Sequence, residues 1–174
     1  PILRYTHTYS RTRNIQVTYT SRASEPTFMQ LQPVRDESDP QRPVVGNPNL
    51  NSSFSHTVSA NYNASDPKKH RSFLLRLQGL FISDRVVSNV ILVPDAYGSF
   101  KREIRYLNAD GTYSYSGNYS WQQSFADRQY TLRLNGNAGY NRNVAFADGM
   151  RNIAGEWNAR QGIGLQINPG SWLE

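Results

Sequence analysis

Alternation between apolar and polar side chains is the dominant pattern of this sequence. Within each alternating segment one set of positions is apolar or aromatic, and the residues between them are mostly Ser, Thr, Asn, Gln or Arg. Successive side chains of a β-strand point to opposite faces, so this period of two indicates strands with one apolar and one polar face. The apolar positions are Leu3, Tyr5, His7 and Tyr9; Ile15, Val17 and Tyr19; Phe54, Val58, Ala60 and Tyr62; Tyr113, Tyr115, Tyr119 and Trp121; Tyr130, Leu132, Leu134, Ala138 and Tyr140; and Ile153, Trp157, Ala159, Ile163, Leu165 and Ile167.

The connections between these segments alternate between short and longer ones. The short, polar connections are 11–14, 65–70, 124–128 and 168–171, and the longer ones are 23–52, a region around 94–102, and 146–151. One rim of short turns and one rim of long loops is the anatomy of an outer-membrane β-barrel. The predicted fold class is therefore all-β: an antiparallel up-and-down meander of about seven or eight long strands, forming an arc of a larger outer-membrane β-barrel.

Two segments could each be one strand or two, and a third segment is predicted to be helical. We predict that 71–93 is one long strand, and the alternative is two strands with a bend at Ser83-Asp84, which is a weak turn signal. Asp110-Gly111 is a stronger turn signal and could divide 102–121 into a hairpin. A helix of one or two turns is predicted over 25–31, with Ser24 as its N-cap and Pro33 ending it.

The composition supports a two-faced sheet and excludes several kinds of site. Only 37% of the residues are hydrophobic, mean hydropathy is -0.67, and there are 11 tyrosines. The absence of cysteine excludes disulfides, a thiolate zinc site and a Cys nucleophile. Net charge is +6, but the basic residues are spread along the chain without a recognition motif, so no nucleic-acid partner is expected.

The candidate chemical groups favour a structural interpretation. The histidines, His7, His56 and His70, are far apart in the sequence, and a metal site needs ligands at defined spacing. The acidic cluster of Asp36, Glu37 and Asp39 is predicted to be a solvated loop rather than a paired-carboxylate hydrolase site. We therefore expect no metal, no cofactor and no enzymatic activity. Gly46 is expected to supply an unusual φ angle.

The aromatic residues allow two interpretations. Nine of them lie on the apolar face or near strand ends, where a membrane girdle would place them at the headgroup level. The alternative is a soluble extracellular carbohydrate-binding β-sandwich, in which Tyr and Trp stack on sugars. Even distribution over many strands favours the girdle, whose candidates are Tyr9, Tyr19, Tyr62, Tyr113, Tyr119, Trp121, Tyr130, Tyr140 and Trp157. The polar face would then line the barrel interior with Arg4, Arg22, Arg76, Arg133 and Arg160.

The first long connection resembles a known family. Its residues are Glu25 to Asp36, containing Gln30-Leu31-Gln32-Pro33, then Ser38-Asp39-Pro40, Gly46-Asn47-Pro48-Asn49-Leu50 and Phe54-Ser55-His56; a later stretch is Tyr106-Leu107-Asn108-Ala109-Asp110-Gly111. This succession resembles the outer-membrane β-barrel family at the C-terminal end of TonB-dependent-receptor-like proteins of Bacteroidetes. The resemblance implies that the chain is roughly a third of a barrel in the bacterial outer membrane. It also implies a parent protein that takes up or receives a nutrient or metal complex across that membrane.

The resemblance also sets the expected partners and site. Residues 1–172 would be a partial barrel domain and 173–174 a cloning-derived tail. The partners would be outer-membrane lipid, the rest of the parent barrel with its plug domain and, indirectly, a TonB-type energy-transducing complex; the isolated fragment should self-associate through its unpaired edges. Loop length and rim position point to the first long loop for ligand contact. The candidate residues are Gln30, Gln32, Arg35, Asp36, Asn47 and Asn49.

Overall fold

A computed structural model describes residues 1–94, 98–126 and 128–168 and shows one 11-stranded sheet with a single short helix. The elements are β1 (Ile2–Ser10), β2 (Arg13–Ser24), α1 (Phe28–Leu31), β3 (Arg35–Asp36), β4 (Val44–Val45), β5 (Ser53–Asp66), β6 (Arg71–Ser83), β7 (Arg85–Pro94), β8 (Phe100–Ala109), β9 (Thr112–Phe125), β10 (Tyr130–Ala147) and β11 (Met150–Ile167). No helix in the described part of the chain has the length and hydropathy needed to cross a membrane.

The long strands form the predicted antiparallel meander. Their order is β1-β2-β5-β6-β9-β10, with β11 on the free side of β10, and every neighbouring pair is antiparallel. The all-β fold class is thus confirmed. The sheet is not closed, because β1 and β11 do not pair with each other in the described residues.

The pairing register explains why the alternation of the sequence produces two distinct faces. Partners that lie side by side across an antiparallel sheet point to the same face. One continuous row runs across five strands from β5 to β11 and consists of Ala60, Leu77, Gly117, Ala138 and Ala159. The same register places all five arginines predicted for the interior on the opposite, polar face, as the partners of Ser, Thr, Asn, Gln or Gly.

The two ends of the sheet differ as predicted. One end, here called the short-turn end, carries the connections 11–12, 67–70 and 126–129. The other, the long-connection end, carries 25–52, 84–111 and 148–149. The prediction of a longer connection at 146–151 is wrong. Asp148 and Gly149 have φ angles of 50° and 75° and close a two-residue hairpin, which lets β10 and β11 extend to 18 residues each. The predicted turn at 168–171 lies mostly outside the described residues.

The prediction of one long strand over 71–93 is also wrong, and the alternative with a break is correct. Asp84 separates β6 from β7 and adopts a φ of 52°, in the left-handed region. The chain breaks again at Asp110-Gly111, where Gly111 has a φ of 95°. The hairpin that this turn signal left open does not form, because β8 pairs with β7 and β4, whereas β9 pairs with β6 and β10.

Strands β6 and β7 form one arm of a long hairpin, and β8 and β9 form the other. At the two breaks these arms exchange places. Phe81 faces Tyr113 below the breaks and Arg85 faces Ala109 above them, so the register continues without an insertion. Below the breaks β9 is the neighbour of β10; above them β7 takes that position, pairing in parallel with β10 at Phe146 and Ala147. We call this feature the hairpin crossing.

Polar contacts hold the hairpin crossing together. The backbone N–H of Asp84 donates to Oδ1 of Asp110 at 2.8 Å. The carbonyl of Asp84 accepts from Nδ2 of Asn108 at 2.7 Å and from the hydroxyl of Ser53 at 2.9 Å. Asn108 also exchanges two hydrogen bonds with the backbone of Asn51. These contacts replace the ladder bonds that the break in the strands removes.

The first long connection folds onto the β7–β8 hairpin. Helix α1 is a single turn, and its N-cap is Thr27 in a capping box with Gln30 rather than the predicted Ser24. Strand β4 then pairs in parallel with β8, and Pro43, which immediately precedes β4, is fully buried. Gly46 does not have the positive φ that was expected of it. Its role is close approach, because a Cβ there would collide with the carbonyl oxygens of Gln32 and Met29.

Burial is concentrated at the long-connection end. The buried apolar residues include Leu50, Ala109 and Val144, whereas large apolar side chains along the sheet are exposed, among them Leu77, Trp157 and Ile163. A contiguous apolar face of this extent is unfavourable in water. The apolar face therefore needs a hydrophobic environment outside the chain itself.

Candidate functional site

The two long connections enclose a pocket of about 610 Å³ at the long-connection end, here called the loop pocket. It lies between the segment around α1 and β3 and the edge of β8. Four of the six predicted ligand residues line it, and Tyr106 of β8, which the sequence analysis did not select, completes the wall. The polar lining includes Gln30, Gln32, Arg35, Asp36 and Tyr106.

Arg35 is held in place by two carboxylates. Its Nη1 lies 2.8 Å from Oε2 of Glu103, and its Nε lies 2.8 Å from Oε1 of Glu37. Glu103 is only 2% exposed and also binds Nε of Arg105 at 2.6 Å. This ion-pair cluster joins β3 to β8, so Arg35 links the two long connections in addition to lining the pocket.

Asp36 is fixed by the turn that follows it. Its Oδ1 accepts hydrogen bonds from the hydroxyl of Ser38 at 2.6 Å and from the backbone N–H of Ser38 at 2.9 Å. These two hydrogen bonds favour the charged form and lower the pKa of the Asp36 carboxyl below its ordinary value. The loop pocket thus carries a fixed negative charge beside the guanidinium of Arg35.

The remaining predicted residues divide between structure and solvent. Asn47 donates from Nδ2 to the carbonyl of Tyr106 at 3.0 Å and accepts from the backbone N–H of Asn49, so it anchors the loop. Asn49 is exposed, and neither residue lines the loop pocket. Within the pocket, the side chains of Gln32 and Tyr106 make no hydrogen bond to other described residues, which leaves them available to a ligand.

Glu103 and Tyr106 are the residues that sequence reasoning missed. Glu103 is the one acidic residue of β8, a strand that also carries Lys101, Arg102 and Arg105. A single carboxylate among basic neighbours was the available signal for an ion-pair cluster. The pairing of β4 with β8 brings Tyr106 to the pocket. The alternation of apolar and polar residues does not predict this pairing.

The three histidines are not brought together. The described residues contain no group of three or more His, Asp or Glu side chains that could hold a metal ion. His56 instead shares a 2.8 Å hydrogen bond with the hydroxyl of Tyr19, and His70 lies in a turn with a φ of 48°.

Two aromatic rows cross the apolar face below the loop pocket. The row toward the short-turn end contains Tyr62, Phe73 and Trp121. The other, here called the upper aromatic row, contains Phe81, Tyr113, Tyr115, Tyr140 and Trp157, with ring centroids 4.7–6.4 Å apart between neighbours. Along β9 the rows are separated by the eight-residue interval from Tyr113 to Trp121. At about 3.3 Å per residue and a tilt of about 40°, this interval spans about 20 Å, close to the height of an apolar band between two membrane girdles.

The opposite face is polar along the same strands. A trough of about 650 Å³ there is lined by Ser116 and Asn118 of β9, Asn135 and Asn137 of β10, and Asn158 of β11, among others. Arg76 donates from Nε to Oδ1 of Asn61 at 2.8 Å beside it. A lipid-compatible face backed by a water-compatible face is the cross-section of a membrane barrel wall.

Comparison with protein families agrees with this geometry. Residues 1–169 match the family described as the outer membrane protein beta-barrel family. The chain belongs to that family. As a member of the outer membrane protein β-barrel family it lies in the bacterial outer membrane, with its apolar face toward lipid. A search of curated proteins gave no match. The carbohydrate-binding β-sandwich alternative is wrong, because the described strands form one sheet rather than two packed sheets.

Proposed function

We propose that this chain forms part of the wall and outer loops of a receptor or transporter that resembles the TonB-dependent receptors. The parent protein takes up or receives a nutrient or metal complex at the outer membrane and has no enzymatic role. The observation that carries the proposal is the loop pocket, which the two long connections build at one end of the sheet. The sheet below it has one apolar face and one polar face. Ligand sites on rigid scaffolds are commonly built from such loops.

The free edges of β1 and β11 support a larger barrel. An open sheet exposes unpaired N–H and C=O groups at both edges, which are costly in a membrane because no water is available to satisfy them. Further strands of the parent protein would close the barrel, and a plug inside it would contact the polar trough. Coupling to a TonB-type energy-transducing complex would act through that plug, so this chain takes part in it only indirectly.

The chemistry of the pocket favours a polar ligand of intermediate size. Gln32 and Tyr106 offer an amide and a phenol, and the neighbouring Arg35 and Asp36 present one positive and one negative group. A volume of about 610 Å³ is within the usual range of roughly 300–1,000 Å³ for small-molecule sites. The proposed ligand contacts are therefore Gln32, Tyr106, Arg35 and Asp36, whereas Gln30 and Asn47 support the loop.

Substitution in the full-length parent protein tests this proposal. We expect the double variant Gln32→Ala/Tyr106→Phe to lower uptake at least about fivefold, since the loss of two hydrogen bonds to the ligand costs about 1–3 kcal/mol. Uptake is measured in cells whose growth on a defined nutrient or iron source requires the parent protein. The matched control is Asn49→Ala, which changes an exposed residue outside the pocket. Unchanged uptake in the double variant, or after deletion of 25–50, would refute the assignment of the ligand site.

A further inference from the structure

Two arginines converge at the long-connection end of the apolar face. Arg142 of β10 is in register with Tyr113 of the upper aromatic row, and Arg151 of β11 is in register with Phe146. The point that a Cβ on Gly111 would occupy is 2.8 Å from Nη2 of Arg151 and 3.9 Å from Nη1 of Arg142. Two guanidinium groups that approach one point repel each other unless an anion lies nearby.

Within the part of the chain that the structure describes, no ion pair compensates this arginine pair. The ion pairs of the described residues involve Arg35, Arg71 and Arg105, and neither Arg142 nor Arg151 takes part in one. Arg151 donates to the backbone carbonyl of Asp110 at 2.5 Å. The carboxylate of Asp110 accepts from the backbone N–H of Asp84 and forms no ion pair with Arg151. The arginine pair therefore retains free donors, and no carboxylate of the described residues lies within ion-pair distance of it.

An apolar groove begins beside the arginine pair. Its volume is about 570 Å³, and Phe81, Tyr115, Tyr140 and Trp157 form its walls above a floor that includes Gly79 and Gly117. Tyr113 connects the two features. The Arg142 guanidinium lies 5.4 Å from the centre of the Tyr113 ring, which in turn lies 5.3 Å from Tyr115 and 6.0 Å from Tyr140. A positive group and an apolar groove thus adjoin on the face that contacts lipid.

We propose that the arginine pair and the groove bind a single phosphorylated lipid, with the phosphate between Arg142 and Arg151 and an acyl chain along the groove. Charge complementarity selects the occupant, because arginine binds phosphate through strong, geometrically specific hydrogen bonds. The upper aromatic row marks the headgroup level of the membrane, which places the arginines where a lipid phosphate lies. The proposal rests on family membership and not on the proposed receptor function.

Lipid titration of the full-length protein in detergent, followed by native mass spectrometry, tests the site. The probe is dimyristoyl phosphatidate, and the comparison ligands are dimyristoyl phosphatidylcholine and inorganic phosphate. We expect Arg142→Gln/Arg151→Gln to weaken phosphatidate binding at least about tenfold. Arg133→Gln on the polar face removes a similar charge from the same strand as Arg142 and should leave binding unchanged. Mobility of the unheated protein on a gel checks that each variant is folded.

A second variant separates the lipid from a free anion. Ala138→Phe fills the groove without altering charge, so it should weaken phosphatidate binding several-fold and leave inorganic phosphate binding unchanged. Equal phosphatidate affinity in the double variant and in Arg133→Gln would overturn the arginine site. Inorganic phosphate binding as tightly as phosphatidate, together with no effect of Ala138→Phe, would overturn the assignment to a lipid.

Discussion

At the scale of single residues, Glu103 is the buried charge that connects the two long connections. It pairs with Arg35 and Arg105, whose side chains are 41% and 56% exposed, so solvent reduces the strength of each pair. Its own burial has the opposite effect, because removal of the carboxylate charge leaves weaker hydrogen bonds in a site closed to water.

We expect Glu103→Gln to lower the free energy of opening between β4 and β8 by about 1–3 kcal/mol. The readout is hydrogen exchange at the backbone N–H of Ile104, which donates to the carbonyl of Pro43 at 2.9 Å. Its exchange should accelerate about 5- to 150-fold. The control Glu37→Gln removes an exposed partner of Arg35 and should change exchange by less than about fivefold. Equal effects of both substitutions on exchange would show that the burial of Glu103 does not determine the free energy of opening between β4 and β8.

Sequence reasoning was uneven at this scale. Which residues face the lipid could be predicted, since a strand has only two faces. Four of the residues selected from the sequence, Gln30, Gln32, Arg35 and Asp36, line the loop pocket, and their contact with a ligand stays a prediction. Tyr106, which lines the pocket, and Glu103, which binds Arg35, could not be predicted because they approach through the pairing of β4 with β8, a contact between segments about 60 residues apart.

At the scale of elements, the hairpin crossing depends on the left-handed conformation of Asp84. A φ of 52° is tolerated by Asp, Asn and Gly but is strained for a β-branched residue. We therefore expect Asp84→Val to destabilise the β7–β8 hairpin by about 1–3 kcal/mol. Asp84→Gly keeps the required conformation and should be close to neutral.

Proteolysis of the loops in the folded protein measures this difference. Cleavage within β7 or β8 should be faster in Asp84→Val than in Asp84→Gly, while the strands below remain protected. If the two variants are cleaved at the same rate, the conformation of Asp84 does not control the crossing.

The crossing also explains why the prediction of one strand over 71–93 is wrong and why the hairpin left open at Asp110-Gly111 does not form. Asp84 has a weak turn signal, and the residues on both sides continue the strand pattern, so 71–93 was assigned as one strand. At Asp110-Gly111 the signal was strong, but a turn signal does not say which strands it joins. The exchange of β9 for β7 as the neighbour of β10 depends on contacts between distant segments. The alternation within each strand would be the same with or without this exchange.

At the scale of the whole molecule, the two edge strands are the exposed part of the sheet. The backbone N–H of Ser21 donates to the carbonyl of Pro1, so the odd-numbered residues of β1 hydrogen-bond with β2. The even-numbered residues, including Thr6, direct their N–H groups to the free edge. The isolated chain should therefore self-associate through β1 and β11.

We expect Thr6→Pro to raise the concentration for half-maximal association of the isolated chain at least about tenfold, because proline removes an edge donor. Analytical ultracentrifugation in detergent measures the association. The comparison variant, Tyr5→Pro, removes a donor that faces β2 and should unfold the edge strand. Association of the Thr6→Pro variant at the original concentration would exclude pairing through the β1 edge.

The overall architecture was the most predictable level. Alternation and the order of short and long connections were sufficient for an open antiparallel meander, because an up-and-down sheet has only local connections. The excursion of β3, β4, β7 and β8 above it could not be predicted, since two-residue strands such as β3 and β4 have no measurable period.

The hairpin crossing also constrains the order in which the chain can assemble. The pairs β5–β6 and β10–β11 close through short turns and can form early from neighbouring residues. Strand β7 pairs with β10 only at Phe146 and Ala147, whereas β9 pairs with β10 from Tyr130 to Arg142, so we expect β9 to pair before β7 docks. We therefore expect the loops that enclose the pocket to reach their final arrangement last, after the strands of the membrane wall have paired.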